Sequence, residues 1–147
     1  MKFKLPIPLL LVGAYEIFFA LRTLWNVINE RFNSIMIGNH LIQGLPATSI
    51  FFVIGLSGFV FGYGIFLLKR WAFGGLFFVN FSLILVYLSN LIFVGLEDLL
   101  QLGESLPDDP LLRFKFAILQ RLLIAFGLNL LLWLYRARFI NSAKGAH

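Results

Sequence analysis

Polar positions in this chain are bunched, and the stretches between them are almost uninterrupted apolar runs. Residues 5–28 are broken only by the charges of Glu16 and Arg22, residues 116–135 only by Arg121, and residues 48–68 and 71–96 by none. Each run reaches the ~20 residues that cross a hydrocarbon core of about 30 Å. The pattern predicts an all-α integral membrane protein, a four-transmembrane-helix bundle in a single domain spanning 1–147. Spans 2 and 3 are joined by little more than Lys69-Arg70, which makes them antiparallel neighbours. Pro6 and Pro8 suit the first turn of span 1, where backbone N–H groups lack partners in any case. Span 4 has a start signal in Leu106-Pro107-Asp108-Asp109-Pro110, with Asp109 as cap and Pro110 in the first helical position. Its helix is expected to run on to about Arg138.

The two longer gaps hold apolar residues of their own. Ile35, Met36, Ile37, Leu41 and Ile42 precede Gly44 and Pro46 as stop signals, and Leu99, Leu100 and Leu102 precede Gly103. Both are read as short helical segments at the outer interface, with an irregular loop as the alternative.

Composition sharpens this picture. The chain of 147 residues is 60% hydrophobic and 13% charged, with a mean hydropathy of +0.90, more apolar surface than so small a chain can bury. The net charge of +5 does not point to nucleic acid, because the basic residues flank spans and form no stripe. Lys2, Lys4, Lys69, Arg70, Arg136, Arg138 and Lys144 sit on one side without an acid among them, whereas the other gaps mix both signs. The positive-inside rule then puts both termini and the Lys69-Arg70 turn in the cytoplasm, in a plasma membrane of bacterial type or a thylakoid. Lys2 and Lys4 before an apolar run imitate a signal peptide. Glu16 follows too soon, and no small-x-small site is correctly placed, so span 1 is expected to be retained. With no cysteine and no histidine inside a span, disulfide staples of the tetraspanin or claudin kind, bis-histidine haem and a histidine- or cysteine-rich metal cluster are all excluded.

Ionisable groups within spans are costly and are therefore the candidate functional residues: Glu16, Arg22 and Arg121. Gly13, Ala20 and Thr23 share the helical face of Glu16, so that face is expected to meet another helix. Burial disfavours a charged carboxylate unless a cation pairs with it. Arg121, on a face with Ala117 and Ala125 and with Asn129 drifting onto the same side, is the expected partner, about 7 Å outward of its span's midpoint at ~1.5 Å per residue. A buried pair fixing spans 1 and 4 is the structural reading, and proton or substrate handling by Glu16 the functional one. Arg22 lies about 120° round the helix from Glu16 and aligns with Asn26 and Asn29; snorkelling, or pairing with Glu97 or Asp98, suits it. Gly55, Gly58 and Gly62 form a close-packing face, Gly75, Ser82 and Ser89 a second seam, and Asn80 and Asn90 can bond across helices. The eighteen phenylalanines allow contact with lipid, quinone or pigment, but no cofactor is assigned. Gly55-Leu56-Ser57-Gly58 matches the GxSG pattern of rhomboid proteases without the histidine they need.

The stretch Ala14-Tyr15-Glu16-Ile17 resembles the surroundings of the membrane-embedded glutamate in small multidrug resistance transporters. That resemblance implies a dimeric, proton-coupled transporter using Glu16. The chain departs from the family pattern in its longer outer loops, in Arg121 and in lacking the glycine-rich signature of span 3.

With no catalytic constellation, the sequence reads first as a non-enzymatic accessory or structural subunit of a larger membrane complex. Its partners would be lipids and either a protein subunit or a second copy. The proton-coupled transporter is the alternative.

Overall fold

The structure, a computed structural model, describes residues 5–29, 31, 34–38, 40–100, 109–137 and 139. Its elements in chain order are α1 (Ile7–Ile28), β1 (Ser34–Ile37), β2 (His40–Gln43), α2 (Leu45–Phe66), α3 (Arg70–Phe93), α4 (Leu96–Leu100) and α5 (Pro110–Leu134). The four long helices match the four apolar runs, and each is long and apolar enough to cross a membrane. They run up, down, up and down. One end of the bundle carries the β-hairpin and α4, the other the Lys69 turn.

Prolines begin three of the helices. Pro6 is the cap of α1, and α1, α2 and α5 each hold proline in the first two positions. There the missing N–H costs nothing. Pro46, expected to stop a segment, instead starts α2, and the break falls at Gly44, whose φ of 68° favours glycine. Pro110 takes its predicted position, but Asp109 does not cap: it sits in the left-handed region and makes no side-chain cap bond. The Leu106-Pro107-Asp108 part of that signal, with Leu102 and Gly103, lies outside the described residues. Of the two segments expected to be helical, the second gives the short helix α4, and the Asp98 side chain accepts a 2.7 Å bond from the Gly95 N–H at its start.

The other segment is a correction. Residues 34–43 form an antiparallel hairpin pairing Ser34 with Gln43, Ile35 with Ile42, Met36 with Leu41 and Ile37 with His40. Two physical reasons stand out in the sequence. Ile35, Ile37 and Ile42 are β-branched, and Gly38-Asn39 is a two-residue hairpin signal. The Asn90 side chain of α3 bonds the hairpin at two points: it accepts from the Gly38 N–H and donates to the Met36 carbonyl, both at 2.8 Å.

Packing divides the bundle into levels. At the turn end, Leu9 and Val12 of α1 meet Ile65 of α2, Ala72 and Leu76 of α3, Leu132 of α5, and Phe139. At the hairpin end, Met36, Val94 and Leu99 form a smaller core with Leu41, Leu111 and Phe114 leaning on it. Glycine brings α1 and α2 into backbone contact. A Cβ built on Gly13 would meet the Gly62 carbonyl at 3.2 Å, and one on Gly58 would touch Ala20 at 3.4 Å. The Gly55-Gly58-Gly62 face is thus an internal seam with α1. Gly75 makes a different contact, with the Phe61 ring of α2. Its seven-residue companion Ser82 bonds within its own helix, to the Phe78 carbonyl, and Ser57 of the GxSG match likewise bonds to Ile54.

Candidate functional site

Between the two apolar cores lies a polar layer. Glu16, near the middle of α1, is only 4% exposed. Its face is the small-residue face predicted from Gly13 and Ala20, so the helix turns the carboxyl inward while Leu10, Leu11, Phe18 and Leu21 remain exposed. Gly58 and Gly62 of α2 close over its backbone and Cβ. The carboxyl reaches α3, where the Asn80 amide donates a 3.1 Å hydrogen bond to Oε1. A buried amide and a buried carboxyl satisfy one another here, where either alone would be costly.

This pair lines a cleft of ≈ 40 Å³ between α1, α3 and α5, walled also by Tyr15, Tyr87 and Arg121. A site needs at least ~10–15 Å³ of such volume to hold a water, so the cleft has room for water and not for a drug-sized molecule. Tyr15 stacks on Phe19, with ring centroids 6.2 Å apart. The cleft therefore combines a carboxyl, an amide, two phenols and a nearby guanidinium. Such a set can bind water or a small polar solute and can relay a proton.

The expected ion pair between Glu16 and Arg121 does not form. Glu16 and Arg121 line the same cleft, but Arg121 is exposed, the bonded partner of Glu16 is Asn80, and no Glu16–Arg121 ion pair forms among the described residues. The small-residue face of α5 is split: Ala125 and Asn129 are buried while Ala117 and Arg121 are exposed. Arg22 is exposed as well and pairs with neither Glu97 nor Asp98. Asn90 serves the hairpin and Asn80 the cleft. Asn129 is buried, and its Oδ1 has no hydrogen-bond partner. Tyr87 was missed as a lining residue, although its seven-residue spacing from Asn80 puts both on one face of α3.

A second concavity, of ≈ 300 Å³, opens between α3 and α5 and is lined by Phe77, Phe81, Ile84, Phe126, Asn129, Leu130 and Trp133. Comparison with family models, curated proteins and solved structures finds no match.

Proposed function

We propose that this chain is a small non-enzymatic subunit of a larger membrane assembly, docked to a partner through α5. Arg121 carries the reading. It is exposed on a helix long and apolar enough to span a membrane, about 7 Å outward of the middle of that helix's apolar run, with exposed Gln120 beside it. An arginine costs about 2.5–3.5 kcal/mol at the centre of a membrane helix on insertion scales and less toward the interface, and a carboxylate on a neighbouring helix relieves that cost. The spans are also far from self-sufficient. Between 17% and 33% of the most apolar stretch of each is buried inside the chain, leaving broad faces for lipid and for partners. The partner is another protein or a second copy. In this reading both termini and the Lys69-Arg70 turn are cytoplasmic, by the excess of basic residues on that side, and the membrane is a bacterial-type plasma membrane. The test is co-purification in mild detergent: a stoichiometric companion that Arg121→Gln releases, while the chain itself stays folded.

One observation favours a second reading, proton-coupled transport. Glu16 is bonded to a neutral amide and faces a cleft, so no ion pair with Arg121 locks its charge. Liposomes holding the isolated protein separate the two readings. Solute flux driven by a pH gradient and abolished by Glu16→Gln belongs to the transporter alone.

A further inference from the structure

We infer that the groove between α3 and α5 is a binding site for a lipid-soluble molecule with a planar ring and a ring hydroxyl, the chemistry of a quinol or phenol. The inference is independent of docking through Arg121, which lies eight residues from Asn129 and about 80° round the helix.

Three observations point the same way. The groove measures ≈ 300 Å³, within the range of small-molecule sites and larger than a single side chain needs. Four of its walls are aromatic: Phe77, Phe81, Phe126 and Trp133. Ring faces favour offset or edge-on contact with another ring, a preference that an acyl chain does not use. The third is Asn129. Its side chain is 7% exposed, lines the groove, and holds a carbonyl oxygen without a partner. An orphaned acceptor in an apolar setting is a standing cost, which a donor on a ligand removes. The oxygen itself is buried, so a ring hydroxyl in the groove meets it only after the amide turns about its last side-chain bond. An acyl chain would fill the volume and leave the amide unsatisfied. A ring hydroxyl meets both demands. Entry fits as well: Trp133 sits one turn from Asn129 with the Arg136 guanidinium 4.0 Å over its ring, a pairing suited to a membrane–water interface.

The test is calorimetric titration of the full chain in micelles with trimethylhydroquinone, kept reduced, and with its dimethyl ether, which has the ring but no donor. The expected result is saturable binding of the hydroquinone. The ether should bind about tenfold more weakly, the effect of one buried hydrogen bond. Asn129→Leu should weaken the hydroquinone to the level of the ether while leaving thermal stability unchanged or raised, because it deletes an unsatisfied polar group. Trp133→Leu should weaken both ligands alike. The proposal is overturned by absence of saturable binding, by equal affinity for hydroquinone and ether, or by an Asn129→Leu variant that binds as the wild type does. It is equally overturned if a photo-crosslinker at Phe81 captures a partner helix that blocks the titration, because the groove is then a protein interface.

Discussion

Adding one methyl group at Gly62 should damage the bundle, whereas the same change at Gly58, one turn earlier on the same seam, should not. A Cβ at Gly62 would lie 3.1 Å from Glu16 Cβ, 3.1 Å from Ile17 Cγ1 and 3.2 Å from the Gly13 carbonyl oxygen. Two of those three atoms are backbone or the first atom of a side chain, so they cannot rotate away, and α1 must move. At Gly58 the nearest atoms are Ala20 Cβ at 3.4 Å and the Glu16 carbonyl oxygen at 3.7 Å, which is ordinary contact. Both substitutions gain the same helix propensity, so that term cancels in the comparison. What remains is overpacking, about 1–3 kcal/mol against Gly62→Ala. Displacing α1 also moves Glu16 relative to Asn80, so damage at the seam reaches the cleft. Unfolding by titration with sodium dodecyl sulfate, followed by far-ultraviolet circular dichroism, measures the difference. Equal stability of the two alanine variants would refute the claim that α1 and α2 are in backbone contact at Gly62.

Three further outcomes are expected. Asn90→Leu strips the Gly38 N–H and the Met36 carbonyl of their partner, at about 1–3 kcal/mol for each buried group left unmade; hydrogen exchange should rise in residues 34–43 well before the long helices, and uniform protection would contradict the clamp. In double-mutant cycles, Glu16→Leu and Asn80→Leu should couple by about 0.5–1.5 kcal/mol, whereas Glu16 and Arg121 should be close to additive; the reverse ranking would restore the ion pair. Cysteine labelling at Lys69 and Gln43 should occur from opposite sides of the membrane, with Lys69 cytoplasmic, and labelling of both from one side would overturn the topology.

Legibility in the sequence followed the physics of each feature. The spans could be read because hydropathy sums over twenty residues and is insensitive to local error. The glycine seam could be read because close approach needs small residues at helical spacing. The hairpin was misread on its apolar content alone, although Gly38-Asn39 and the β-branched isoleucines carried the contrary signal. Charge and depth alone point Glu16 to Arg121. The deciding quantity is how far each helix is rotated about its axis, which is set by contacts between elements distant in the chain. That rotation leaves Arg121 exposed on the cleft wall and turns Asn80 toward Glu16. The α3–α5 groove was hidden for the same reason: eighteen phenylalanines give no hint which four will face one another.

The central claim is that α5 meets a partner through Arg121. Native mass spectrometry of the protein extracted with its own lipids, for wild type and Arg121→Gln side by side, tests it most directly. The account predicts a defined heteromeric or homomeric mass for the wild type and a lone, folded chain for the variant. A wild-type protein that leaves the membrane as a monomer, or an Arg121→Gln variant that keeps the same companion at the same stoichiometry, would contradict it.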